Sequence, residues 1–109
     1  MRLRQRDLKS YQIKHWKKLS DPDGTTYDGW DDGGELQANV QPAGGKMMVE
    51  MYGAKLKYML VAYAETIEGL SENDGLCNYV AADKDPDYKV VAIRQWNTHF
   101  VIDLEKVIP

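Results

Sequence analysis

The stretch from residue 36 to residue 63 constrains the fold most. Residues 35–42 alternate cleanly, with Leu36, Ala38 and Val40 on one side and Gln37, Asn39 and Gln41 on the other. A period of two marks a half-buried strand. Pro42 cannot donate to a ladder, so the strand ends there or lies at a sheet edge. Ala43-Gly44-Gly45 follows, and then a Met/Tyr-rich segment. Within it Met47, Met51, Ala54 and Tyr58 recur at helical spacing, with Met48, Tyr52 and Leu56 beside them. Extended sequence returns over residues 60–66. This excursion is too long for a turn and too apolar for a solvated loop. Loops of such size in compact domains are functional or disordered, and the Met and Tyr content argues against disorder. The expectation is a short, imperfect helix, weakened at Gly53 by about 1 kcal/mol relative to Ala, inserted between strands.

The flanking sequence supplies the other strands. Residues 9–19 fit either period: Tyr11, Ile13 and His15 alternate, while Leu8, Tyr11, His15 and Leu19 suit a helix. Asp21-Pro22-Asp23-Gly24 is a turn signal and Thr25-Thr26-Tyr27 restarts β-prone sequence, so a hairpin is expected. Asp31-Asp32-Gly33-Gly34 reads as the next break and residues 68–75 as a turn region. Residues 76–80 read as a strand, residues 82–87 as a loop and residues 88–95 as a strand. Val90, Val91 and Ile93 make that last strand apolar on both faces, as a central strand would be. After the turn at Asn97-Thr98, residues 99–107 set Phe100, Ile102 and Leu104 against Val101, Asp103, Glu105 and Val107. Roughly six or seven short strands with one insertion at residues 43–58 suggest a mainly β fold. The expectation is a small antiparallel β-barrel, SH3-like or similarly closed, spanning residues 1–109 as one domain with the insertion projecting from it.

A chain of 109 residues with 43% hydrophobic content supports one modest core. The net charge of −3 disfavours a dedicated nucleic-acid binder, which carries a basic excess to displace phosphate counterions. Cys77 is the single cysteine; it cannot make an intrachain disulfide or a zinc site, and a buried inert thiol is expected. No apolar run approaches the roughly 20 residues of a membrane span. No signal peptide is visible behind Met1-Arg2-Leu3-Arg4, so a cytoplasmic setting is the default expectation.

Charge is segregated along the chain. Arg2, Arg4, Arg6, Lys9, Lys14, Lys17 and Lys18 stand against Asp7 alone. Asp21, Asp23, Asp28, Asp31, Asp32 and Glu35 then follow without a base. A basic edge beside an acidic hairpin accounts for this. So do complementary surfaces between copies, with Arg2, Arg4 and Arg6 meeting Asp28, Asp31 and Asp32.

Catalytic chemistry finds little support. His15 and His99 fall in different strands, and His15 shares its face with Tyr11 and Ile13. Asp83, Asp85 and Asp87 lack the Gly and terminal Glu of a calcium loop. No phosphate-cradling loop and no nucleophile elbow occurs. No catalytic residue, cofactor or metal is therefore expected. The Met cluster suits either core packing or an adaptable binding surface. Trp16, Trp30 and Trp96 lie near turns or strand ends, where an exposed indole would mark an interface.

The order of features resembles a known family. A hairpin with a Gly-containing tip precedes Thr26-Tyr27 and Trp30. A strand then ends Ala38-Asn39-Val40-Gln41-Pro42, a Met/Tyr excursion follows, and the closing strands include Pro86-Asp87-Tyr88-Lys89-Val90-Val91. From about residue 7 onward this is similar to the head-completion, or stopper, proteins of the head–tail connector in long-tailed phages and prophages of Gram-positive bacteria. The resemblance implies a structural, non-enzymatic β-barrel that forms a dodecameric ring in the virion. The portal and adaptor rings lie above it and the tail terminator or another tail protein below. It helps retain DNA that passes without specific contact, docks the tail and touches no membrane. Assembly would take place in the host cytoplasm. The segment 43–58 would face the channel or a neighbouring subunit, with Met47, Met48, Met51, Tyr52 and Lys55 as contacts. Two alternatives stay open: a tail-completion or adaptor protein of the same neck, and a non-viral barrel that binds a peptide at an exposed edge.

Overall fold

In the computed structural model, which describes residues 8–107, the two alternating runs become the two longest strands. β1 (Lys9–Ser20) and β2 (Thr26–Pro42) form an antiparallel hairpin. Its tip is closed by an Asp21 carbonyl that accepts from Gly24 N–H at 2.9 Å, with Gly24 at φ 89°, a conformation glycine adopts without steric cost. α1 (Lys46–Tyr52) follows β2 and passes directly into a 3₁₀ helix, Gly53–Tyr58. The junction is Gly53, at φ 55°. β3 (Met59–Ala64), β4 (Gly75–Cys77), β5 (Tyr88–Gln95) and β6 (Phe100–Lys106) complete the chain.

All pairings are antiparallel, and the strand order β1-β2-β3-β6-β5-β4 closes on itself as a barrel. The mainly β expectation therefore holds. The inward positions carry Ile13, Leu36, Ala38, Leu60, Ala62, Ala64, Leu76, Val90, Ile102 and Leu104, with Leu70 added from the loop after β3. Alanines alternate with leucines on β2 and β3, which suits the narrow interior of a six-stranded barrel.

Several sequence boundaries move. Asp31-Asp32-Gly33-Gly34 does not break the chain; β2 runs through it. The register jumps there from Gln12↔Glu35 to Lys14↔Asp32, so Gly33 and Gly34 together oppose Ile13 in a β-bulge. Gly33 is pressed against His15, whose Nε2 lies 2.1 Å from where a Cβ would sit. Val90-Val91 is also a bulge, not a two-faced central strand, because the register against β6 skips between Val90 and Ala92. β4 stops at Cys77 instead of continuing to residue 80, since Asp87 captures the next two backbone N–H groups, of Asn78 at 2.7 Å and Tyr79 at 2.9 Å.

Only Gln12, Ile13 and Lys14 of β1 pair with β4, while β2 meets β3 only from Asn39 onward. The rest of the hairpin, from the His15↔Asp31 pair to the Ser20↔Thr26 pair, has strand pairing only between its own two strands, and its base is tied to the barrel through His15–Asp74 and Trp30. It forms an arm of about 20 Å at 3.3 Å per residue. The element that projects from the barrel is therefore this arm. The segment 43–58, expected to project, reaches the barrel through Tyr52 and Met47 and leaves most of its residues exposed.

Barrel closure depends on Gly75. A Cβ there would fall 2.3 Å from Pro86 Cγ and 3.1 Å from Trp30 Cζ3. Gly75→Ala is expected to lose about 1–3 kcal/mol, the usual cost of overpacking, in urea unfolding. Parent-like stability would show that the three-residue β4 does not hold the barrel shut.

Candidate interaction surfaces

Outward positions on β3, β6 and β5 form a wall that α1 covers. Asp103 lies at its centre, opposite Val61 on one side and Ala92 on the other. Its side chain is completely buried. A buried carboxylate must be paired and hydrogen-bonded to be tolerated. Arg94 Nη2 donates to its Oδ1 at 2.7 Å, and Tyr52 Oη donates to its Oδ2 at 2.7 Å. Arg94 Nη1 also reaches Met47 Sδ at 3.5 Å. The helix is thus fastened near both ends, through Met47 and through Tyr52. Burial and the hydrogen bond to Asp103 push the Tyr52 phenol up to about 12.

Helical spacing sorts the candidate contact residues. Met48 and Tyr52, four apart, turn toward the wall; Met48 is buried and Tyr52 half-buried. Met47 and Met51, also four apart, are each about half exposed, and Val49, Lys55 and Tyr58 are exposed as well. The Met cluster is thus divided, with Met48 and Met59 buried and Met47 and Met51 open. Between α1 and the wall runs a groove of ≈ 530 Å³, lined largely by apolar atoms of Met47, Val61, Tyr63, Trp96 and Val101. Trp96 is 54% exposed at its rim.

The arm carries the second surface. Trp16 and Trp30 pair across its strands edge to face, ring centroids 5.1 Å apart, with Trp16 56% exposed. Tyr27 is exposed opposite Leu19 nearer the tip. The segregated charges prove to be the two strands of this hairpin: Lys17 meets Asp31 at 2.7 Å, and Lys14 pairs with Asp32. Asp31 and Asp32 are thus already paired within the chain. Lys17's hydrogen bond is the main cause that holds the Asp31 carboxyl below its ordinary range. Asp28 stands opposite Lys18 in register. Arg2, Arg4 and Arg6 lie outside the described residues.

The histidines fall in separate neighbourhoods. His15 Nδ1 is 2.9 Å from Asp74 Oδ1, on the loop after β3. His99 is buried before β6, next to Thr98 and tilted against Tyr63. Cys77 is buried, its Sγ donates to Lys84 O at 3.5 Å, and burial raises its pKa. No group of three or more metal-ligating side chains comes together among the described residues. No helix among them is long and apolar enough to cross a membrane.

Asp103 and Arg94 were not singled out in the sequence, and Tyr52 was expected as an outward contact rather than as the hydrogen-bond donor to a buried carboxylate. Asp103 read as one more outward residue of an alternating strand. Its only local signal was an acid between Ile102 and Leu104, and the cover that buries it comes from 51 residues earlier in the chain.

Neither a family model nor a curated protein matches the chain. Among solved structures it is similar to the solution structure of protein SF1141 from Shigella flexneri 2a, a structural genomics target. The two share 15% identity, with a TM-score of 0.65 over 92% of this chain and 93% of that one. The likeness extends over nearly the whole of both chains and concerns the fold.

Asp103→Ala is expected to cost about 3–5 kcal/mol, because it strands the Arg94 charge. Tyr52→Phe removes one hydrogen bond to a charged acceptor, about 1.5–3 kcal/mol. The phenol also sets a pH dependence. Its ordinary pKa is 10.0 and its folded value about 12, so the unfolded chain gives up this proton first. That contribution is intact below pH 10 and is lost as pH rises through about 12. Urea midpoints followed from pH 9 to 12 are expected to fall more steeply for the parent than for Tyr52→Phe. Parallel curves would contradict the Tyr52–Asp103 bond.

Proposed function

We propose that this chain is a structural component of a phage head–tail connector. Copies form a ring below the portal and adaptor, help retain packaged DNA and present a docking surface to the tail. The observation that carries this reading is the distribution of exposed apolar side chains. The barrel completes its core with inward strand residues and Leu70, yet Trp16 and Tyr27 stand out on the arm, and Met47, Val49, Met51 and Tyr58 on the helical segment. A barrel that functions alone has no need of two such surfaces, whereas exposed apolar patches mark sites of association. The order of hairpin, strand ending Val40-Gln41-Pro42, Met/Tyr segment and closing strands supports the same reading. A negative average charge suits a passage through which DNA slides without sticking.

Its role in this reading is mechanical. The Asp103 cluster fixes α1 on the wall, so the Met47 and Met51 face is presented by a supported element. Met side chains adapt their packing to a partner, as a joint between rings requires. Chemistry at His15 or His99 has no part in it.

Deleting the gene from its phage or prophage is expected to leave heads without attached tails, together with free tails. Supplying the parent chain in trans restores joined particles. Infectious, tailed particles from the deletion strain would overturn the proposal.

A further inference from the structure

The arm and the groove are separate patches of the molecule, the groove lined from β3, β5 and β6 and the arm built from the outer halves of β1 and β2. In the closed order β1-β2-β3-β6-β5-β4, β6 lies three strands from β1. β6 floors the groove through Val101, and β1 carries half of the arm. Their charges are opposite too. From residue 19 to residue 45 the chain has no Lys or Arg, and Asp21, Asp23 and Asp28 crowd the arm's tip. The segment 43–58 carries Lys46, Lys55 and Lys57 against Glu50 alone, with Lys46 on the groove itself. Each surface sets apolar groups beside its charge: Leu19 and Tyr27 on the arm, Met47 and Trp96 in the groove.

We propose that the acidic tip of the arm of one copy docks into the groove between α1 and the barrel wall of a second copy. Tyr27 enters the apolar part, and Asp21 and Asp23 meet Lys46 and the lysines that follow it. This rests on the reading that copies of the chain assemble with one another, and it names the surfaces they use. The contact is heterologous, because arm and groove are different patches of one molecule. It propagates from copy to copy and makes a ring when the rotation closes. It also assigns the acidic partner role to the arm's tip, in place of Asp31 and Asp32, which are already paired within the chain.

A heterologous contact permits a decisive mixing test with full-length chains. An arm variant carries Asp21→Lys, Asp23→Lys and Tyr27→Ser, and a groove variant carries Met47→Ser and Trp96→Ser. All five side chains are exposed. A charge-only arm variant, Asp21→Lys with Asp23→Lys, serves if the triple change disturbs folding. Each variant alone is expected to be monomeric in sedimentation. Isotope-labelled arm variant, which keeps its groove, is then titrated with unlabelled groove variant, which keeps its arm. The expected result is a saturating shift of the Trp96 indole N–H signal and a species of two chains that does not extend. Added salt weakens it as the Debye length falls from about 10 Å at 0.1 M to about 3 Å at 1 M. Absence of a shift up to about 1 mM, a dissociation constant too weak for a specific contact, overturns the proposal. So does an equal shift when the added chain lacks the arm residues. Failure of the mixture while the parent still restores joined particles would remove the arm contact and leave the connector reading. A mixed dimer from a chain that particles do not need would do the reverse.

Discussion

The structure depends on three residue pairs. Gln12, Ile13 and Lys14 meet Cys77, Leu76 and Gly75, and this short ladder, with the two pairs that join β4 to β5, closes the barrel. Asp87 takes the backbone donors that would extend β4 beyond Cys77, and at the other end Gly75 leaves no room for a side chain between Pro86 and Trp30. Since β4 is so short, most of β1 has no neighbour besides β2. The hairpin that would otherwise be barrel wall becomes an arm. One local constraint thus sets both the closure of the core and the shape of the surface.

A second constraint acts on the opposite wall. Asp103 sets a carboxyl group where water does not reach, and Arg94 and Tyr52 supply its hydrogen bonds there. The segment that supplies Tyr52 is therefore held in place. A seven-residue helix is far too short to be stable by itself; its stability comes from the wall it covers. This bears on the expectation of a projecting, channel-facing insertion. In the isolated chain the segment is a pad, buried at Met48, half-buried at Tyr52 and open at Met47 and Met51. Any rearrangement toward a channel would have to release Tyr52 from Asp103.

Much of this was legible in the sequence because it is local. The alternation of Leu36, Ala38 and Val40 places all three as expected, and the helical spacing from Met47 locates α1. Asp-Pro-Asp-Gly makes the turn that its composition signals. What escaped the sequence was set by partners distant in the chain. Gly33-Gly34 looks like a break, and only pairing with Gln12 and Lys14 turns it into a bulge within a continuous strand. Val90-Val91 looks like a strand buried on both faces, and its bulge appears only against β6. Asp103 follows the period of its strand faithfully. What period cannot convey is that an outward face will be roofed by a helix. The same holds for the charges: basic and acidic runs suggested complementary surfaces between molecules, and the hairpin brings part of them together within one.

Arm and pad are the two surfaces on which the connector proposal rests. The most direct measurement is a reconstruction of the neck of the tailed particle at a resolution that traces strands. The account predicts a ring of these barrels between the portal–adaptor assembly and the tail, one six-stranded barrel per subunit, with α1 on its outer wall or displaced from it toward a contact. A complete neck with no density that fits this barrel would contradict it.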